Sequence, residues 1–392
     1  MRRVWEVFWQ FLLLGLTSFG GPAAHLGYFQ KTFIQDKKWI DQDGFSRLVA
    51  LSQFLPGPGS SQVGFALGLQ RAGLKGGLAA FIGFTLPSFL IIYVIATTTL
   101  YNEEQAWLTG LIHGLKLLAV IVVADATLNM MRSFCKETTT MAIAVLTAAT
   151  LLVLPSLWTQ LCVLIMAAAY GAFKQYRAVQ KSSPITASTS EASDPYITKP
   201  PFFLFVGLFF LLPVLGLASD WIELISSFYH AGSLVFGGGH VVLPLLQQTL
   251  AESIDNERFL LGYAAAQAIP GPMFTLATFL GADLMPENSF LGALAATLTI
   301  FLPGFLLILS IHGSWERLTT QPKVAGAIWG INASVVGLLL SALYQPVFIS
   351  AVGSAIDMAV VICGFFVMRY FKIPILVLVI VFSILGIISN LL

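Results

Sequence analysis

Long apolar runs separated by short polar turns organise this chain. Runs such as Phe81 to Leu100, Met141 to Leu154 and Ile373 to Ile388 are uncharged and show no two-residue alternation, so each predicts a helix that needs a hydrocarbon solvent. Full spans are expected near 76–98, 107–131, 141–154 and 157–173, one more near 202–218, and a last group near 289–311, 324–343, 346–367 and 374–391. One stretch, Lys174 to Pro200, is polar throughout and contains SSPITASTSEASDP. It predicts a flexible linker that divides the chain into 1–173, 174–200 and 201–392.

Composition sharpens this picture. The chain has 57% hydrophobic and 10% charged residues, against about 25% charged in an ordinary soluble domain, which excludes a soluble enzyme or a nucleic-acid binder. A formal net charge of +1 points to no polyanionic partner. Cys135, Cys162 and Cys363 have neither paired nor metal-ligand spacing, so no metal or other cofactor is expected. The 34 glycines and 18 prolines are the unusual feature. Many fall inside apolar stretches, where each weakens or breaks a helix.

The breakers recur in order. Phe19-Gly20-Gly21 returns as Phe236-Gly237-Gly238, and FSRLVALSQFLPGP (Phe45 to Pro58) as FLLGYAAAQAIPGP (Phe259 to Pro272). TLPSF (Thr85 to Phe89) returns as FLPGF (Phe301 to Phe305), and Gly110 with Gly114 as Gly326 with Gly330. The offsets stay between 214 and 217, which predicts two structural repeats.

Basic residues cluster at 2–3, 31–47, 71–75, 132–136, 174–199, 317–323 and 369–372, and acidic patches lie at 103–104, 220–223 and 252–257. Placing the basic set in the cytoplasm, N-terminus included, makes 4–33 and the segment turning at Pro56-Gly57-Pro58 enter and leave by one face. Their arms of about 10–15 residues are too short to span. The single span near 202–218 then delivers the second pair of hairpins, near 222–250 and 258–285, to the opposite face. The expected fold is an all-α polytopic membrane protein with two inverted-topology repeats, each with two re-entrant helical hairpins broken at Gly/Pro motifs and followed by transmembrane helices.

A helix broken at depth exposes N–H donors and a positive partial charge at the start of its second half, which attracts an anion. The candidate substrate-binding residues are therefore Gly20, Gly21, Gly57, Gly59, Gly237, Gly238, Gly239 and Gly271, with the hydroxyls of Ser60, Ser61 and Thr275 beyond the breaks. Gln53 and Gln267 precede the Pro-Gly-Pro motifs, and His25 and His240 follow the glycine-rich turns; all four can donate to an anion. Lys116 is a candidate fixed positive charge or a snorkelling interfacial lysine. Asp125 and Asp357 are the clearest intramembrane acids and the candidates for proton coupling.

The motifs FGGPAAH (Phe19 to His25), Trp39, QFLPGP (Gln53 to Pro58), FTLPSF (Phe84 to Phe89), FGGGH (Phe236 to His240) and AQAIPGP (Ala266 to Pro272) resemble the chromate ion transporter family in its long, two-domain form. The resemblance covers most of both halves and implies efflux of chromate, with sulfate as the related tetrahedral dianion and a proton or anion gradient as energy source. The expected setting is the cytoplasmic membrane, with the lipid bilayer and an oxyanion as partners, a homodimer as the assembly, and no nucleic acid. A membrane-embedded enzyme acting on a phosphate-bearing lipid would also use glycine-rich hairpins, but needs clustered acids, a nucleophile or a metal site, and the sequence has none. A passive anion channel is the other alternative; inverted repeats without a continuous polar stripe favour a carrier. No P-loop is present, so direct ATP coupling is not expected.

Overall fold

The structure, a computed structural model, describes every residue except 20, 101–105, 182–198, 217–218, 236–245, 248, 251–252, 312–320, 372, 374 and 392. Among the described residues the chain is helical, with no β-strand. Residues 182–198 of the linker, together with Gly20, Gly237, Gly238, Gly239 and His240, lie outside the described residues.

The first half opens with two interrupted helical segments. Helix α1 (Arg2–Thr17) ends at Ser18 in extended backbone, and α2 (Gly21–Phe29) continues as a π-helical turn over Gln30–Asp36. Helix α3 (Gln42–Phe54) starts under an Asp41 cap, whose carboxylate accepts from the Gly44 N–H at 2.8 Å, and stops at Leu55 before Pro56-Gly57-Pro58. Helix α4 (Gly59–Leu100) is two helices in succession, because the backbone leaves helical geometry at Ala72 and Gly73, the latter with φ +66°. Its first limb is roughly 20 Å long and its second roughly 40 Å, by the rise per residue. Only the second is long enough to cross a hydrocarbon core of about 30 Å.

Helices α5 (Ala106–Phe134), α6 (Thr138–Val153) and α7 (Leu157–Lys181) complete this half. The second half follows the same order after the additional helix α8 (Lys199–Gly216). Helix α9 (Asp220–Leu234) ends extended at Val235, and α10 (Asn256–Ala268) leads to the second Pro-Gly-Pro turn. A 3₁₀ turn, Met273–Thr275, then enters α11 (Leu276–Leu284), and α12 (Ser289–Ile311) is long. Helices α13 (Pro322–Ala342), α14 (Ala355–Phe371) and α15 (Ile375–Leu391) close the chain.

Most elements fall where the apolar runs place them, with two corrections. The linker expected over 174–200 is shorter, because the helix before it runs on to Lys181 and the next begins at Lys199. The span expected near 346–367 does not run through. The chain passes from π-helical Leu343–Phe348 into a single turn at Ile349–Ala351, breaks, and restarts at Ala355. Pro346 and Gly353 weaken a continuous helix here, and the Asp357 carboxylate caps the new start by accepting from the Gly353 and Ser354 N–H groups at 3.1 and 2.9 Å. Asp357 thus sits in a first helical turn rather than mid-span.

Among the described residues, five helices are long and apolar enough to cross a membrane. The outward faces of the helices carry large bare side chains, including Trp5, Leu146, Trp158, Phe203, Phe210 and Tyr370, as a lipid-facing surface requires. Lipid tails are as apolar as leucine, so close packing, not burial from water, holds the helices together. Small residues set that packing. Gly15 on α1 lies against the Phe84 carbonyl of α4, and Gly232 on α9 against the Ile300 carbonyl of α12. Gly114 of α5 meets Phe382 of α15, while Gly330 of α13 meets Ala167 of α7.

Candidate substrate site

The breaks in the helices meet in pairs, one from each half. The Gly271 N–H donates to the Ser18 carbonyl at 3.0 Å, and the Gly57 N–H to the Val235 carbonyl at 2.7 Å. Ser18 and Val235 are free to accept because each ends its helix in extended backbone. Gly57 and Gly271 have φ of +128° and +105°, a region closed to side chains with a Cβ. Space is short as well: a Cβ on Gly57 would stand 3.0 Å from the Gly304 Cα, and one on Gly271 2.7 Å from the Ser88 Oγ. Ser88 and Gly304 hold the same place in TLPSF and FLPGF. Gly21 also has positive φ, +78°, and lies near Met273 of the other half.

Beyond the first Pro-Gly-Pro, the first bond of the new helix runs from the Gln62 N–H to the Pro58 carbonyl at 2.9 Å. The N–H groups of Gly59, Ser60 and Ser61 therefore have no acceptor within their own helix. Ser60 and Ser61 are buried and Gly59 is half-buried. His25 is fully buried; its Nδ1 lies 3.2 Å from the Ser60 Oγ, and its ring stands edge-on to Phe84 with centroids 5.2 Å apart. The Gln62 amide donates to the Pro56 carbonyl at 2.9 Å and the Gly304 carbonyl at 3.3 Å, tying the turn to the second half.

Several buried polar atoms here have no protein partner: the Ser18, Ser61 and Thr85 hydroxyls, His25 Nε2 and Gln62 Oε1. Leaving such groups unpaired costs about 1–3 kcal/mol each, so their grouping near the breaks makes this the candidate place for water or a polar ligand.

The remaining candidates are placed differently. Thr275 is fully buried, but its hydroxyl donates to the Pro272 carbonyl at 2.7 Å. Gln267 is buried and donates to the Tyr263 hydroxyl at 2.9 Å, whereas Gln53, its counterpart, is exposed. Lys116 is 7% exposed and paired with Glu257 at 2.6 Å, so its charge is balanced by protein. Asp125 pairs with Arg369 at 2.8 Å, and the Asp357 carboxylate also meets His113 Nε2 at 2.9 Å. None of these three charges is brought to the breaks by a bond in the structure.

Ser18, Gln62 and Thr85 were absent from the sequence-based candidates. Ser18 stands beside a repeated motif, Thr85 within one, and Gln62 four residues past the first Pro-Gly-Pro; a hydroxyl or amide at such a position was the signal available. A further buried pair, Arg258 with Asp283 at 2.6 Å, also links Arg258 to the Thr99 hydroxyl and Ala96 carbonyl of α4.

The fold and its paired helix breaks define an all-α, multi-pass membrane protein organised around an interrupted centre. Comparison with known proteins then identifies it: the chain belongs to the chromate transporter family, whose profile, described as Chromate transporter, matches residues 5–172 and 222–387. It is 26% identical over 385 residues to an uncharacterized transporter of Methanocaldococcus jannaschii, covering 97% of this chain and 93% of that one. It is 25% identical over 337 residues to a chromate transport protein of Pseudomonas aeruginosa, covering 85% and 79%. With a chromate transport protein of Cupriavidus metallidurans the identity is 22% over 340 residues, covering 85% and 80%. These relatives are named as transporters, not as enzymes. No solved structure matches the chain.

Proposed function

We propose that this protein is a secondary active transporter that exports chromate, and recognises sulfate, across the cytoplasmic membrane by alternating access between two inverted repeats, 1–173 and 201–392. The observation that carries this reading is the crossed pair of hydrogen bonds at the breaks, Gly271 to Ser18 and Gly57 to Val235. Contacts that pair i with j and then the counterpart of j with the counterpart of i are the mark of a two-fold relation. The same reciprocity links Gly114 with Phe382 and Gly330 with Ala167, across the halves. The family profile supports it too, matching once in each half.

In this reading the glycine-lined turns let an oxyanion approach the unpaired N–H groups at the start of the second half-helices, where the helix dipole favours negative charge. The crossed bonds close the path between the repeats. Each contributes about 1 kcal/mol net, little enough to break and reform as one repeat rocks against the other. The linker and the N-terminus lie in the cytoplasm, and the assembly is a homodimer.

Transport in sealed vesicles holding the purified protein tests this. Chromate flux is expected to depend on an imposed pH or counter-anion gradient, and absence of gradient-dependent flux of both chromate and sulfate overturns the reading. Orientation is tested separately by labelling Gln35→Cys and Ala72→Cys in a chain lacking its own cysteines. Both are expected to react from the cytoplasmic face only; labelling from opposite faces rules out the re-entrant hairpins.

A further inference from the structure

Among the described residues, the two halves are alike in their glycines and unlike in their donors. The Ser18 position, 0% exposed, corresponds to Val235 at an offset of 217, and the Thr85 position, 4% exposed, to Phe301 at 216. Ser61 corresponds to Thr275 at 214, but the Thr275 hydroxyl is taken up by Pro272 while that of Ser61 has no partner. Elsewhere in this bundle buried hydroxyls turn back on their own helices: Thr127 donates to Val123, Ser233 to Tyr229, Thr297 to Ala293 and Ser310 to Leu306. The hydroxyls of Ser18, Ser61 and Thr85 make no such bond and have no protein partner.

Each of the three is itself, or stands next in the chain to, a residue at the His25 ring. The His25 ring contacts Ser60 and Phe84, which precede Ser61 and Thr85, and it lies beside the main chain of Ser18. A Ser60 hydroxyl donating to Nδ1 leaves the proton of a neutral His25 on Nε2, the nitrogen without a protein partner.

We propose that the oxyanion is held by one half only, in a cradle of neutral donors made by the hydroxyls of Ser18, Ser61 and Thr85 and the Nε2–H of His25, with Ser18 and His25 about the start of α2, Ser61 in the first turn of α4 and Thr85 on its second limb. The corresponding positions Val235, Thr275 and Phe301 pack the second half against it and hold no ligand. The cradle supplies hydrogen bonds and helix dipole without a lysine or arginine. Ser60 is a positioning residue, setting which imidazole nitrogen carries the proton. This inference rests on the transport reading and narrows it to one set of residues.

The test is titration of the purified full-length chain with chromate, sulfate and phosphate. Ser18→Ala, Ser61→Ala and Thr85→Val are each expected to weaken chromate binding roughly tenfold, the loss of one hydrogen bond to a charged ligand. Thr85→Ser, which keeps the hydroxyl, is expected to restore it. Thr275→Val separates a one-sided from a symmetric site, and is expected to change affinity by less than about twofold, since its hydroxyl bonds the main chain. Melting temperatures identify any variant that fails to fold, in which case the Thr85→Val and Thr85→Ser pair decides. Binding weakened as much by Thr275→Val as by Thr85→Val overturns the cradle, as do unchanged affinities in all three first-half variants of a chain that still transports. A wild-type chain that binds none of the three anions overturns the cradle and the transport reading together.

Discussion

At Gly57 and Gly271 the backbone takes φ of +128° and +105° and carries hydrogen bonds between the halves, whereas Gly114, Gly171, Gly330 and Gly386 sit inside uninterrupted helices and press against a neighbour's carbonyls. The central glycines are needed for a conformation; the flanking ones are needed for proximity. The same residue type thus builds a region that leaves backbone donors unpaired and a region in which the helix pairs with all of them satisfied. A transporter requires both, since a site can move only against something that does not.

Substitutions should separate these uses. Gly57→Val and Gly271→Val are expected to abolish vesicle transport while the protein remains in the membrane, because β-branched residues are excluded from positive φ and the neighbouring Gly304 and Ser88 leave no room. Transport that survives both changes would mean the breaks are structural, like the flanks. Next in size is the Arg258–Asp283 pair, 11% and 8% exposed, which anchors α10 to α11 and α4. Replacing Arg258 by methionine leaves a buried carboxylate uncompensated, and a loss of about 3–5 kcal/mol should appear in thermal unfolding.

Gly330→Val in the flank should cost about 1–3 kcal/mol by overpacking against Ala167, lowering the melting temperature and the yield of folded protein. If it instead removed transport from a normally stable protein, the division between centre and flank would fail. The smallest effect is expected for Lys116→Gln. Glu257 is 59% exposed, so solvent screening limits the loss to about 1 kcal/mol, and chromate flux should persist. Loss of flux without loss of stability would return Lys116 to the substrate path.

Much of the centre was legible beforehand because glycine and proline are local signals. Gly57 and Gly271 could be singled out from Pro-Gly-Pro in an apolar context, and their positive φ follows from that geometry. Partner choice was not legible. Lys116 was readable as an unpaired charge because Glu257 is 141 residues away, and Asp125 takes Arg369 from 244 residues away rather than the nearby Arg132. The span at 346–367 misled for a related reason: hydropathy averages over Pro346 and Gly353, while the helix yields at Gln345, just before the proline, and again around Gly353.

From the sequence alone came the hydrocarbon solvent, the helical class, the repeated breaks and their offset, since each depends on composition or on residues close together in the chain. Tertiary structure alone decided which break meets which, and which polar groups are left without partners. Two helices packed against each other choose among all their side chains at once. Among the described residues, glycines at matching places in the two halves therefore came to surround different donors, and the unpartnered hydroxyls of Ser18, Ser61 and Thr85 all lie in the first half.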